Sequence, residues 1–182
     1  MLKMHRSRSA RALTRAAVVT ALVSCSWAMT GLTATAGSAQ ARLAEGTYRI
    51  TNVASSSTMR TYYAGGEAFV SSTRENPGPF ELWQITNSRD GSYTIENVGI
   101  NIINMLDSYA AVRQTAAEEP VVTSRDATDW SIEPAGNGTY VIKVPGQDLL
   151  WNAEAPVVPR GDVKLRAADG SDAQRWSLVL AD

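Results

Sequence analysis

The sequence is poor in the side chains on which most catalytic and metal sites depend. It contains one cysteine and one histidine among 182 residues, and both of them, Cys25 and His5, lie within the first 41 residues. The remaining chain can form no disulfide, no Ser-His-Asp or Cys-His catalytic set, and none of the usual zinc sites, which draw on His and Cys. We therefore expect a protein that is not an enzyme and that uses no metal and no cofactor.

Residues 1–41 have the pattern of a secretory signal peptide. Residues 1–15 contain five basic side chains and no acidic one, residues 16–23 are mostly apolar, and small residues continue to Ala39-Gln40-Ala41. A basic start, a short apolar core and an A-x-A ending define such signals, and the apolar stretch is shorter than the roughly 20 residues that cross a bilayer. We expect cleavage after Ala41 and secretion to the extracellular space. The sequence Leu22-Val23-Ser24-Cys25 leaves a lipid anchor on Cys25 open as an alternative.

The chain from residue 42 to residue 182 is acidic and has the length of one domain. It comprises 141 residues, and because the first 41 take away five of the 17 basic side chains and none of the 18 acidic ones, its formal net charge is −6. A domain of this length can bury a sufficient core without disulfides. An acidic chain without a basic stripe does not suit nucleic acid or an anionic membrane surface. We expect neither as a partner, and we expect a monomer.

Two markers recur three times in this domain. Each repeat opens with a Gly-x-Tyr-x-Ile segment and closes with Trp followed two residues later by Ile or Leu. The opening segments begin at Gly46, Gly91 and Gly138, spaced by 45 and 47 residues, and the closing ones begin at Trp83, Trp130 and Trp176, spaced by 47 and 46 residues. A fixed period of this length indicates repeated supersecondary units. We place the repeats at about residues 45–89, 90–136 and 137–182.

Each marker has the two-residue period of a half-buried strand. Asp90-Gly91 and Asn137-Gly138 precede opening strands and favour tight hairpin turns, because both residues tolerate positive φ. Further strands are expected at residues 58–63, 68–73, 102–106, 121–125, 149–152 and 163–167, and only residues 109–118 show a trace of helical periodicity. Propellers use 4–8 blades, whereas three four-stranded units can close a barrel capped by hairpins. The sequence therefore predicts an all-β fold, a β-trefoil.

The tryptophans bear on whether this domain binds sugars. Trp83, Trp130 and Trp176 recur at equivalent positions and are expected in the core. Trp151 has no evident counterpart, and we expect it to pack inside as large aromatic residues generally do. If it were exposed beside Asp148 and Asn152, the three would form a sugar-binding patch. Gln174-Arg175-Trp176 matches the Q-x-W signature of ricin-type lectins, but the match occurs once and the cysteines common in that family are missing.

A resemblance to a known family extends over the whole domain. The segments LWQITNSRDGSYTIEN at 82–97, GNGTYVIKV at 136–144 and VKLRAADGSDAQRWSL at 163–178 are similar to the β-trefoil protease inhibitors best known from mushrooms. The chain resembles the serine-protease branch, the cospin and cnispin type, which has relatives among secreted bacterial proteins. The second repeat also resembles the cysteine-protease inhibitors of the clitocypin type. This resemblance implies that a surface loop enters a protease active site, and it does not indicate which loop.

Loop stiffness and side-chain charge rank the candidate loops. A trypsin-like target requires Arg or Lys at the centre of an exposed loop, and a stiff loop loses less entropy on binding. The segment Val157-Val158-Pro159-Arg160-Gly161-Asp162 has a proline that restricts the backbone before the arginine. We take Pro159, Arg160 and Gly161 as the first candidate for the inhibitory loop, and Arg60 and Arg74 as weaker ones. Two hypotheses stand: an inhibitor of serine proteases, or else of cysteine proteases, and a carbohydrate-binding trefoil.

Overall fold

A computed structural model of the chain describes residues 42–64, 67–74, 78–103, 107–154 and 160–181. The predicted signal peptide with Cys25 lies outside these ranges, and so does Pro159. Twelve strands and one short helix lie in the described part of the chain: β1 Gly46–Asn52, β2 Thr58–Ala64, β3 Glu67–Thr73, β4 Leu82–Asn87, β5 Tyr93–Asn97, α1 Val98–Ile102, β6 Tyr109–Ala111, β7 Val122–Ser124, β8 Ser131–Gly136, β9 Thr139–Lys143, β10 Leu149–Ala153, β11 Arg160–Ala167 and β12 Trp176–Leu180. Short 3₁₀ turns lie at Pro79–Glu81, Arg89–Gly91 and Asp172–Gln174. No described helix is long and apolar enough to cross a membrane.

Six strands close a barrel. Strand β1 pairs with β4 and β12, β4 pairs with β5, and β9 pairs with β8 and β12, all of them antiparallel. An isolated bridge between Tyr93 and Trp130 joins β5 to the start of β8 and completes the circle. Closure leaves none of these six strands as an unpaired sheet edge.

The other six strands form three hairpins, β2–β3, β6–β7 and β10–β11, that cap the barrel. The hairpins join one another through equivalent pairs, Phe69 with Val122, Pro120 with Lys164, and Asp162 with Ser71. Three buried valines lie at the junction: the amide of Val70 donates to the carbonyl of Val121 at 3.3 Å, and that of Val121 donates to Val163 at 2.8 Å. A closed barrel with a threefold hairpin cap is the β-trefoil that the repeats predict.

The closing tryptophan of each repeat is fully buried and makes the same hydrogen bond. The indole N–H groups of Trp83, Trp130 and Trp176 donate to the carbonyls of Met59, Ala110 and Trp151 at 3.0, 2.9 and 3.2 Å. Each bond connects a barrel strand to the hairpin of its own repeat. The prediction that these three tryptophans lie in the core is confirmed.

Trp151 occupies the position that Met59 and Ala110 occupy in the other repeats, so it does have structural counterparts. It is fully buried, with its ring edge-on to Trp130 at 4.9 Å and to Trp176 at 6.3 Å between centroids. The expected packing inside is confirmed. The alternative of a sugar-binding patch formed with exposed Asp148 and half-buried Asn152 is wrong for Trp151, because a buried ring offers no face to a sugar.

The prediction of a strand that begins at residue 102 is wrong, and residues 104–106 of that predicted strand lie outside the described ranges. Val98–Ile102 is the helix α1, and the second strand of this repeat is Tyr109–Ala111. The carboxamide oxygen of Asn97 accepts a hydrogen bond from the amide of Ile100 at 3.0 Å, which favours a helical turn at this point. The trace of helical periodicity at residues 109–118 is also not realised, since that segment is a strand followed by turns. Short apolar runs cannot be assigned to helix or strand from periodicity alone.

The two tight turns have the predicted conformation. Asp90 and Gly91 have φ angles of 53° and 84°, and Asn137 and Gly138 have φ angles of 51° and 72°. These left-handed values are the reason for Asp-Gly and Asn-Gly at these positions, because most other residues are strained there.

Candidate functional site

A buried asparagine at the end of β1 holds the β1–β2 turn, residues 53–57. The Asn52 carboxamide nitrogen donates to the carbonyls of Ala173 at 2.9 Å and Arg175 at 3.2 Å, and its oxygen accepts from the amide of Ser55 at 3.2 Å. The backbone amide of Ala54 also donates to the carbonyl of Asp172 at 3.3 Å. The turn is therefore fixed to the 3₁₀ turn that precedes β12.

Asn97, at the end of β5, does the same for the β5–β6 connection. Its nitrogen donates to the carbonyls of Phe80 at 2.8 Å and Leu82 at 3.4 Å, while its oxygen accepts from Ile100. The backbone of α1 also packs closely against Phe80. A Cβ on Gly99 would lie only 2.7 Å from the backbone nitrogen of Phe80. Helix α1 is thus held directly against the Pro79–Glu81 turn.

The third repeat departs from this pattern. Val144 holds the equivalent place. Its backbone amide donates to the carbonyl of Leu149, and the backbone amides of Asn52 and Asn97 donate in the same way to the carbonyls of Ser57 and Ser108. A valine side chain has no polar atom with which to fix the following connection, residues 145–148. Two of the three pseudo-equivalent connections are therefore held by a buried carboxamide.

Arg74 contacts the first of these connections. Its guanidinium donates from both Nε, at 3.0 Å, and Nη2 to the carbonyl of Ser55. The chain that follows Arg74 leads to the Pro79–Glu81 turn, which contacts α1. We call residues 53–57, 78–81 and 98–103, together with Arg74, the rim.

The rim has a narrow polar part and an apolar part. Ala54 and Ser56 are exposed on the β1–β2 turn, where every side chain is small. On the β5–β6 connection, Ile102 and Ile103 are 65% and 52% exposed. Large apolar side chains at such exposure are typical of contact surfaces when they lie together. The rim contains no histidine or cysteine, and the described residues include no group of three or more His, Cys, Asp or Glu side chains placed to hold a metal.

Arg60, a weaker candidate from the sequence, forms an ion pair with a buried residue of the rim. Its Nη1 lies 3.4 Å from Oε1 of Glu81, whose side chain is only 2% exposed. Burial raises the pKa of Glu81, and the charge of Arg60 opposes that rise. The Arg60 guanidinium also lies 5.4 Å from the centre of the Tyr62 ring and 6.0 Å from that of Phe80. Its position is that of a structural group, which stabilises a buried carboxylate.

Arg160 and Gly161 lie in a strand. The predicted loop extended to residue 162, whereas β11 begins at Arg160 and pairs Arg160 with Thr73 and Gly161 with Ser72. Gly161 is buried, and the exposed Arg160 guanidinium lies 3.6 Å from the centre of the Tyr62 ring. Arg60 and Arg160 therefore meet on Tyr62, while Arg74 belongs to the rim.

Asn52 and Asn97 were not among the residues that sequence reasoning selected. A signal for them exists in the repeats, because each follows the marker tyrosine by four residues in the segments GTYRITN and GSYTIEN. The third segment, GTYVIKV, ends in valine instead. An asparagine at an inward-facing strand position, where its neighbours are apolar, indicates a buried hydrogen-bonding role.

Comparison with known proteins identifies relatives in sequence and in structure. No protein-family model matches the chain. Clitocypin-4/-3 from Clitocybe nebularis is 30% identical over 147 residues, which cover 74% of this chain and 94% of that protein.

The solved structures that share the fold include two fungal proteins and one designed protein. The Macrolepiota procera ricin B-like lectin in complex with lactose is 19% identical, with a TM-score of 0.66, over 78% of this chain and 100% of the lectin. The Rhizoctonia solani agglutinin is 18% identical, with a TM-score of 0.68, over 79% and 100%. The designed threefold-symmetric protein ThreeFoil is 19% identical, with a TM-score of 0.64, over 74% and 98%. At these identities the likeness establishes the β-trefoil fold alone.

The resemblance to inhibitors of the clitocypin type, seen in the second repeat, extends over nearly the whole length of one of them. The resemblance to the serine-protease branch stays a prediction. The chain belongs to the clitocypin family of β-trefoil proteins.

Proposed function

We propose that this protein is a protease inhibitor that blocks cysteine proteases by inserting the rim into the active-site cleft. The observation that carries the proposal is its 30% identity to a clitocypin over 94% of that protein, since clitocypin is a cysteine-protease inhibitor. Inhibition of this kind needs no chemistry from the inhibitor, which agrees with a domain that lacks histidine and cysteine.

The rim has the physical properties that such binding requires. A loop that is already ordered loses little conformational entropy when it enters a cleft, and the turn at residues 53–57 is ordered by Asn52, Arg74 and the 172–175 segment. Its small side chains let the backbone approach closely. Ile102 and Ile103 would add apolar contact, at about 1.5–3 kcal/mol for each side chain fully removed from water.

The arginines favour this assignment over trypsin-type inhibition. To fill a specificity pocket, Arg60 would have to leave Glu81 as an unpaired buried carboxylate, at a cost of about 3–5 kcal/mol. Arg160 would have to leave the Tyr62 ring, on which such contacts contribute about 0.5–1 kcal/mol at exposed sites. Inhibition of a serine protease through Arg160, the first candidate from the sequence, stays the alternative to be tested.

The test measures inhibition of papain and of trypsin by the purified protein and by three variants, Ala54→Trp, Ala116→Trp and Arg160→Ala. Ala54→Trp places a large ring on the narrow turn of the rim, and Ala116→Trp places the same ring on an exposed loop outside it. We expect inhibition of papain that weakens by about 30-fold or more with Ala54→Trp, or ~2 kcal/mol, and stays unchanged with Ala116→Trp.

Two other results would change the assignment. Equal inhibition by both tryptophan variants would move the inhibitory surface away from the turn. Inhibition of trypsin alone, lost with Arg160→Ala, would replace the proposal with serine-protease inhibition through Arg160. No inhibition of either enzyme would contradict the proposed function.

A further inference from the structure

A cavity of about 540 Å³ lies in the second repeat, outside the rim. Its wall is formed by the chain that leaves β6 at Val112, by β7, by the segment 125–128 that follows β7, and by Asp107 ahead of β6. Its volume lies within the range of about 300–1,000 Å³ that small-molecule sites occupy.

One cation in the cavity wall has no partner in the described part of the chain. Arg113 is exposed and makes no hydrogen bond or ion pair with any described residue. Arg125, in the same wall, has only a long contact of 3.8 Å with Asp107, and both of these side chains are more than 60% exposed. A planar guanidinium that is free of an internal partner can bind a carboxylate through two parallel hydrogen bonds.

The other polar groups of the wall suit hydroxyl groups. The hydroxyl oxygens of Thr128 and Ser124 accept from the backbone amides of Val112 at 3.3 Å and Asp126 at 3.1 Å. Each hydroxyl therefore keeps its own hydrogen to donate. The carboxylate of Asp126 is an acceptor for hydroxyl hydrogens.

We propose that this cavity binds a sugar acid, a pyranose that carries a carboxylate, with the carboxylate on Arg113 and the hydroxyl groups on Ser124, Asp126 and Thr128. A neutral sugar fits less well, because no residue that lines the cavity in the described chain is aromatic. Without a ring to stack against, the ion pair with Arg113 must supply much of the affinity. The site is separate from the rim, so it does not depend on protease inhibition.

Calorimetric titration of the full chain with glucuronate and galacturonate tests this proposal, with glucose and galactose as neutral counterparts. We expect at least one of the two acids to bind with a Kd of about 1 mM or tighter, and its neutral counterpart to bind at least ~10-fold more weakly because it lacks the carboxylate. Arg113→Gln should weaken binding of the acid by about 10-fold or more. Arg89→Gln, at an exposed arginine outside the cavity, should leave it unchanged.

Ala127→Trp provides a second, steric test, because Ala127 lines the cavity and the larger ring would fill it. Binding should be lost in this variant, while its urea unfolding, followed by the fluorescence of the buried tryptophans, should match that of the unaltered protein and would show that the variant is folded. The proposal is wrong if neither acid binds, if glucose and galactose bind as well as the acids, or if Arg113→Gln binds like the unaltered protein.

Discussion

Replacing Asn97 with valine should destabilise the domain by about 2–4 kcal/mol. Valine fits such a position, because Val144 occupies the equivalent place in the third repeat. The change removes two good hydrogen bonds, at 2.8 Å to the carbonyl of Phe80 and at 3.0 Å from the amide of Ile100. Ile100 is 3% exposed, so its amide finds no water and costs about 1–3 kcal/mol unpaired, whereas the carbonyl of half-buried Phe80 costs about 1 kcal/mol.

Equilibrium unfolding in urea measures this change. Four tryptophans in the described chain are fully buried, so their fluorescence should report the loss of the core. Thr94→Val, on the same strand at a half-buried position, is the matched control and should change the free energy of unfolding by less than ~0.5 kcal/mol. Inhibition of papain, measured where the variant is still folded, should weaken because α1 is no longer held against the Pro79–Glu81 turn.

A free energy of unfolding within ~0.5 kcal/mol of the unaltered protein would refute the reasoning, since that is the change expected of a surface substitution. A loss of stability without any loss of inhibition would leave the argument about stability intact and would change only the assignment of the inhibitory surface. It would remove the β5–β6 connection from the inhibitory surface and confine that surface to residues 53–57 and their neighbours.

Three further changes are expected to have defined effects. Trp151→Ala should cost about 3–5 kcal/mol in urea unfolding, because it leaves a large cavity beside Trp130. Gly99→Ala should cost about 1–3 kcal/mol, because the new Cβ would meet the backbone of Phe80 at 2.7 Å, whereas Gly78→Ala, with nothing within 4 Å, should be tolerated in the same assay. The raised pKa of Glu81 means that the folded state binds its proton at a higher pH than the unfolded state does. Stability should therefore fall as pH rises from the ordinary value of 4.5 through the folded pKa, and Glu81→Gln should remove this fall in unfolding measured across pH.

Most of the fold could be predicted because the same pattern of residues recurs three times in the sequence. The Tyr-x-Ile and Trp-x-Ile markers keep one period, and each marker lies on a barrel strand with its large side chains inside. Where a repeat departs from its neighbours the prediction was wrong at Ile102, which ends a helix and does not begin a strand. Residues 98–102 form a helix because the side chain of Asn97 bonds to the backbone ahead of it, and a contact of that kind has no periodicity to detect.

The site was less predictable, because its arginines were judged by charge and local sequence. Arg160 follows a proline and precedes a glycine, a local sequence that is typical of a loop. In the structure Arg160 pairs with β3 and is the first residue of β11. The partner of Arg60 is Glu81, 21 residues further along the chain. Both outcomes depend on tertiary contacts, whereas the two-residue spacing of the markers is local.

The residues that we connect with function lie where the threefold symmetry is broken. The three repeats contribute equivalent strands to the barrel and equivalent hairpins to the cap. The lengths of the three indole hydrogen bonds differ by no more than 0.3 Å. The connections differ, since Asn52 and Asn97 hold two of them and Val144 does not hold the third. Symmetric positions are constrained by packing in all repeats, so a single repeat can change there only at a cost in stability. A connection has no such constraint, and the second repeat can carry Ile102 and Ile103 on one connection and Arg113 on another without disturbing the core.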